Sequence, residues 1–238
     1  MSSRVSVVER VFRTMILRRN LAEVVKRALA SARVLDVGGW YAPLNAATHV
    51  LDILPYATRG QPLDPENAAR FTEGTWVLHD VCIPPWPFPD GFFDFSFCSH
   101  LLEDVRDPLA VVRELRRVAK SGYVETPSRE REIFAKGRFA SLGARLGRMP
   151  EVGSYHHRWF VEAEGTHLRF SAKTTELMRD RRYYLTRTDL GRKMREEESG
   201  LGFFWDGAIS AEEVIIIDAD EARAALRRFR DGALARLR

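Results

Sequence analysis

The sequence predicts an α/β fold built on a doubly wound, mostly parallel sheet with helices on both faces. Short strand-like runs recur between residues 33 and 126, the first of them β-branched and ending in glycines. An amphipathic helical segment separates the last two runs, the alternation that builds right-handed parallel crossovers. With 238 residues, 45% of them hydrophobic, the chain is long enough to bury one sizeable core, so a single domain over 1–238 is expected.

Residues 1–31 read as N-terminal helices, because Val7, Val8, Val11, Phe12, Met15, Leu21, Val24, Val25 and Leu29 recur at helical spacing. Arg10, Arg13, Arg18 and Arg19 break up their apolar residues, which argues against both a membrane span and a signal-peptide core. The first strand is Val34-Leu35-Asp36-Val37, running into Gly38-Gly39. A second strand fits Thr48 to Ile53, a third Thr75 to Leu78, and a fourth Phe92 to Cys98 after the turn Pro89-Asp90-Gly91.

Leu109, Val112, Leu115 and Val118 mark a helix that begins at Asp107-Pro108, an N-cap and first-turn proline, and stops before Gly122. Tyr123-Val124-Glu125-Thr126 closes the series as a fifth strand. Beyond it the pattern predicts a basic helical stretch over Glu130–Arg148 and a hairpin within His157–Phe170. Two apolar runs follow, Phe203–Trp205 and Val214–Ile217, and then a closing helix over Ala219–Arg238. The expected organisation is N-terminal helices at 1–31, a binding core at 32–127 and substrate-side elements at 128–238.

The charge balance is 37 basic against 33 acidic residues, a net +4, with a pI near 9.3. This hints at an acidic partner such as nucleic acid. Much of the excess is arginine spread along one helical segment (Arg223, Arg227, Arg228, Arg230, Arg236, Arg238), which reads as a solvated face. Cys82 and Cys98 both lie in apolar segments, suiting unbridged thiols in the cytoplasm better than a disulfide scaffold.

The stretch Pro87-Phe88-Pro89-Asp90-Gly91-Phe92-Phe93-Asp94 through Ser99-His100-Leu101-Leu102-Glu103-Asp104-Val105 is the most distinctive. With Asp107-Pro108, Glu114, Arg117-Val118, Lys120 and the Asp36-Val37-Gly38-Gly39 turn, it resembles the class I S-adenosylmethionine (SAM)-dependent methyltransferase family. The resemblance covers roughly Arg33–Pro127 and implies a Rossmann-like sheet, SAM as cofactor with S-adenosylhomocysteine as product, and methyl transfer as the activity. One departure stands out: the later glycines of the first loop are missing, and little chain separates that loop from Asp52. The first crossover helix is therefore expected to be absent or reduced to a turn. The Asp-Val-Gly-Gly loop, taken with Tyr155-His156-His157-Arg158-Trp159, is similar to a subgroup of that family.

In such sheets the ligand lies beyond the carboxyl ends of the strands. Cofactor contacts are expected from Asp36, Gly38, Gly39, Asp52, Ile53, His79, Asp80, Val81, Ser99 and His100. Glycines let backbone approach the ligand. Asp52 has the chemistry to accept the ribose hydroxyls, Asp80 that to accept from the adenine amino group, and Asp36 more readily organises the loop. Glu103 and Asp104 read as capping or solvent-facing residues.

Methyl transfer to a hydroxyl benefits from a base, and His156 or His157 is the candidate, with Tyr155, Arg158 and Trp159 on the substrate side. On a strand the two histidines would point to opposite faces, so one at most should enter a pocket. Trp40, Tyr41, Trp159 and Trp205 could each serve either core or pocket. A metal site is not expected, since no third ligand stands at a persuasive spacing. The reading is a methyltransferase acting on a small-molecule acceptor, with no membrane association and a possible homodimer. An RNA methyltransferase and a non-catalytic binding or structural protein of the same fold remain as alternatives.

Overall fold

The computed structural model describes residues 16–136, 143, 150–174 and 180–238. The first part of the predicted N-terminal helices and most of Glu130–Arg148 lie outside them. The described elements are α1 (Arg18–Ala30), β1 (Val34–Val37), β2 (His49–Asp52), β3 (Trp76–Leu78), β4 (Phe95–Ser99), α2 (Pro108–Val118), β5 (Ser121–Pro127), α3 (Arg129–Glu132), β6 (Trp159–Glu164), β7 (His167–Ala172), α4 (Arg187–Leu190), α5 (Glu196–Ser199), β8 (Gly200–Asp206), β9 (Ser210–Val214) and α6 (Ala219–Leu237).

The main sheet has the order β3-β2-β1-β4-β5-β8. All its pairings are parallel except that of β8, which runs antiparallel along β5 at the edge. The order reverses between β1 and β4, and a crevice at such a switch point is where open α/β sheets bind ligands.

Alternation within the strands separates two cores. Val34, Phe95, Phe97 and Tyr123 pack with Val24 and Ala28 of α1 on one face. On the other, Leu35, Val37, Cys98 and Val124 meet Val111, Leu115 and Val118 of α2. The hairpin β6-β7, joined by β9 in a second small sheet, adds Val161, Leu168 and Phe170 to that second core. Helix α2 starts where its sequence predicts: the Asp107 side chain accepts from Ala110 N at 2.8 Å, ahead of Pro108.

As expected from the missing glycines, no helix joins β1 to β2. Residues 38–48 cross over as irregular backbone, and buried carboxylates take the amide groups that a helix would have satisfied internally. Asp36 accepts from Leu44 N, and Asp64 accepts from Asn45 N and Ala46 N. Arg70 donates to Ala28 O and Ala46 O, tying this crossover to the end of α1.

The Phe-Pro-Asp-Gly turn is also fixed by packing. Arg117 of α2 donates to Trp86 O and Phe88 O and pairs with Asp90 and Glu114, while Glu114 accepts from Trp86 N. Gly91, at φ +61°, closes the turn. The most distinctive block of the sequence is thus largely a clamp between that turn and α2. The arginines of α6 are partly paired as well, Arg230 with Asp189 and Arg236 with Glu130.

Candidate active site

Beyond the strand tips lie two cavities. The first, about 280 Å³, is walled by Gly38, Asp52, Ile53, His79, Asp80 and Val81, together with Leu101, Asp104, Val105, Arg106 and Arg158. The second, about 500 Å³, opens between the turn after β4, the end of β5 and the turn before β6. Asp104 lines both.

Six of the ten expected cofactor residues line the first cavity. Asp52 is buried at the end of β2. Its Oδ2 accepts from Trp40 N at 2.9 Å and its Oδ1 from Leu54 N at 2.8 Å, which leaves one lone pair on each oxygen for a diol. Burial raises its pKa, and those amides offset part of the rise. Gly38 sits at φ +79°, a backbone conformation that side chains rarely adopt, and an added Cβ would press on Leu101 Cδ1 at 2.9 Å. Ile53 is two-thirds exposed beside Asp52, an apolar surface suited to covering a base.

Asp80 is more committed than the sequence suggests. Its Oδ1 accepts from Cys82 N and its Oδ2 from Arg106 Nη1 at 2.7 Å, so an adenine amino group would have to share it. Burial works against ionisation of this carboxyl, but the two hydrogen bonds outweigh it and hold the pKa down.

Asp36 and Gly39 lie beneath the loop: a Cβ at Gly39 would collide with the Asp36 carboxylate. Burial pushes Asp36 up to about 8. Ser99 is buried at the tip of β4. His100 faces the larger cavity rather than the nucleoside crevice.

His100 has φ +51°, the only positive φ outside glycine among the described residues, a conformation that costs about 1 kcal/mol or more. It places the ring between two buried carboxylates: Nδ1 donates to Glu103 Oε1 at 3.1 Å, and Nε2 lies 3.8 Å from Glu125 Oε1 without a hydrogen-bond partner. Burial lowers the His100 pKa, but Glu103, Glu125 and Asp104 outweigh it and raise the pKa above that of a free histidine. Glu125 is itself held by Leu17 N and the Tyr123 hydroxyl, which anchors the start of α1 beside the site.

His156 and His157 both line the larger cavity, against the expectation that one at most would. They occupy a turn before β6 and not the strand itself, so strand alternation does not separate them. His157 Nδ1 donates to Glu132 Oε1 at 2.9 Å, and Glu132 is gripped by Lys173 at 2.6 Å. Burial alone would raise the Glu132 pKa, but His157 and Lys173 bring it below the usual range.

Glu103 and Asp104 do not face solvent as expected. Glu103 is buried, with Oε2 unpartnered, and Asp104 stands between the cavities with His156 Nε2 at 3.8 Å and His157 Nε2 at 3.9 Å. The third ligand-type atom that sequence spacing could not supply is therefore present in space.

Of the expected substrate-side residues, Tyr155 is exposed and packs edge-on to His156, and Arg158 borders the nucleoside crevice. Trp159 donates to Val105 O and packs on the core. Trp40 and Tyr41 line the larger cavity, whereas Trp205 is core. Sequence reasoning missed Asp104, Arg106, Arg131, Glu132, Ser154 and Ser199. For Asp104 the sole local signal is its place directly after the Ser99-His100 strand end.

Residues 44–124 match the model of a methyltransferase domain family. This match supports a class I SAM-dependent methyltransferase domain in that stretch, with S-adenosyl-L-methionine as its cofactor. It is 29% identical over 147 residues to a ubiquinone biosynthesis O-methyltransferase of Xanthomonas campestris pv. campestris (strain B100), covering 57% of this chain and 59% of that one. A protein of the same name from Xanthomonas oryzae pv. oryzae (strain PXO99A) is 29% identical over 146 residues, covering 56% and 58%. The chain thus spans under two thirds of the length of these relatives. Among solved structures, a SAM-dependent methyltransferase from Aquifex aeolicus aligns with a TM-score of 0.36 and 18% identity, covering 60% of this chain and 86% of that one. The residues of the smaller cavity fit the nucleoside end of the cofactor: a buried carboxylate with spare lone pairs, a glycine turn at positive φ, and an exposed apolar neighbour.

Proposed function

We propose that the protein is a small-molecule O-methyltransferase that passes the methyl group of SAM to a hydroxyl of an aromatic acceptor. What carries this reading is the meeting of two cavities at Asp104, one with the chemistry to hold a nucleoside and the other lined by histidines and by Trp40 and Tyr41. The relatives' printed name, an O-methyltransferase, supports oxygen as the attacked atom. When bound, SAM supplies an electrophilic methyl on a sulfonium.

The chain's part is mainly alignment, because an in-line displacement gains most from holding its reactants in register. Asp52 holds the ribose hydroxyls, and the Gly38 turn and Leu101 form the wall beside them. Trp40 and Tyr41 flank the acceptor ring. The acceptor oxygen forms its bond to the methyl carbon as the carbon–sulfur bond breaks, its electron pair leaving on sulfur.

The hydroxyl proton goes to His100, which lines the cavity and whose buried Nε2 has no hydrogen-bond partner, while Nδ1–H stays on Glu103. The sequence pointed to His156 or His157 for this role; the orphaned nitrogen favours His100. The test is calorimetry with S-adenosylhomocysteine, followed by labelled-methyl transfer to a panel of phenols with anilines as the nitrogen comparison. Product heat together with methylated phenols is expected. No heat at millimolar product would overturn the reading, and labelled anilines alone would overturn its oxygen chemistry.

A further inference from the structure

We propose that Asp104, His156 and His157 form a binding site for a divalent first-row transition cation at the junction of the two cavities. One oxygen and two imidazole nitrogens from separate turns converge there. Each histidine presents Nε2 to a different oxygen of Asp104, at 3.8 and 3.9 Å, and the three ligand atoms all lie within 4.8 Å of one another.

Those separations are too long for hydrogen bonds and somewhat wider than the gap between ligand atoms on a shared ion. Metal–nitrogen and metal–oxygen bonds of about 2.0 to 2.2 Å place tetrahedral ligand atoms about 3.4 Å apart, so a shift of about half an ångström closes the set. His156 has the freedom to make it, being 55% exposed.

The surroundings settle what faces the gap. The Nδ1–H of His157 is held by Glu132, itself fixed by Lys173. With Nδ1 committed to Glu132, Nε2 is the ring nitrogen left to meet a cation, and it is turned toward Asp104. A carboxylate on the far nitrogen is also what orients metal-bound histidines. Asp104 Oδ1 is buried and has no hydrogen-bond partner. The turns that carry them are clasped together, since Glu103 O accepts from Arg158 N at 2.7 Å.

Two nitrogens and one oxygen suit zinc, cobalt, nickel or manganese better than magnesium or calcium, which prefer oxygen ligands throughout. The open side of the set faces the acceptor cavity, so an ion there would draw in the acceptor hydroxyl and ease its deprotonation toward His100. That catalytic consequence rests on the proposed function; binding of the cation does not.

The experiment is calorimetric titration of tag-free, chelator-treated protein with Zn2+, with Mg2+ as the contrasting probe and S-adenosylhomocysteine titrated separately. Near one equivalent of Zn2+ is expected to bind at micromolar concentration, with no Mg2+ heat. His156→Ala and Asp104→Asn should each weaken Zn2+ binding at least tenfold, with far-UV spectra and thermal midpoints of the metal-free proteins unchanged. His156 is exposed, so its removal keeps the test valid even if a buried substitution perturbs folding. Equal Zn2+ affinity in both variants and the parent would overturn the site, as would no Zn2+ heat from a parent that binds S-adenosylhomocysteine. Zn2+ binding without product binding would leave the site standing and sink the proposed activity.

Discussion

The proposed nucleoside crevice and the proposed acceptor cavity share Asp104, yet they are assembled in opposite ways. The crevice comes from consecutive strand ends of one parallel half-sheet, at Gly38, Asp52 and Asp80, within a short run of chain. The acceptor cavity gathers the turn after β4, the end of β5, α3 and the turn before β6, residues far apart in sequence. Its charged groups face one another: Glu103, Asp104 and Glu132 among His100, His156 and His157. The first region is a general holder that strand topology dictates, and the second takes its character from side chains on loops.

The largest expected effect separates the two regions by function. His100→Gln should lower methyl transfer at least a hundredfold, the usual scale for a lost general base, while calorimetry finds S-adenosylhomocysteine affinity within about twofold of the parent. Loss of both together would place His100 in the crevice instead. The pH profile of the parent should rise as His100 loses its proton, above the ordinary histidine range, because Glu103, Glu125 and Asp104 raise its pKa. A flat profile would contradict the role.

The complementary substitution is Asp52→Ala. It should weaken product binding roughly tenfold to a hundredfold, the scale of one or two charge-assisted hydrogen bonds. Unchanged affinity would break the assignment of the crevice.

Stability offers a third contrast. Burial raises Asp36 to about 8, so the folded state holds a proton that the unfolded chain releases near the ordinary carboxylate range. Its contribution is full below that range and is lost as pH rises toward 8, at roughly 1 kcal/mol per pH unit. Denaturant titrations of Asp36→Asn, whose amide oxygen can still accept from Leu44 N, should show a flatter slope between about pH 5 and about pH 8 than the parent. Parallel slopes would contradict the buried neutral carboxyl.

The smallest effect is expected from Arg106→Ala. Its pair with Asp80 is half exposed, and exposed pairs contribute little. Product affinity should change less than about threefold, since the released Asp80 oxygen becomes available to an adenine amino group; a loss matching that of Asp52→Ala would make Arg106 part of the grip.

This contrast explains what the sequence could show. Strand ends are written locally, so Asp52 and the shortened Gly38 crossover were legible from β-branched runs and glycines. The Asp107-Pro108 helix start was legible for the same reason, as capping is a matter of adjacent residues. Convergence in space is not written locally. Glu132 lies in a mixed-charge segment with no periodic cue, and Asp104 looks like a solvated helix-start residue until the His156-His157 turn is folded onto it. The pairing of those two histidines in one cavity is hidden from strand alternation because their turn precedes β6. The Pro87–Asp94 block, the strongest signal of resemblance, turns out to serve packing through Arg117 and Glu114.

The most direct measurement is a crystal structure of the protein with S-adenosylhomocysteine. The account predicts ribose hydroxyls on the Asp52 carboxylate, the base along Ile53 toward Asp80, and sulfur turned toward Asp104 and the His100 cavity. A nucleoside seated elsewhere, with the Asp52 carboxylate making no contact to it, would contradict it.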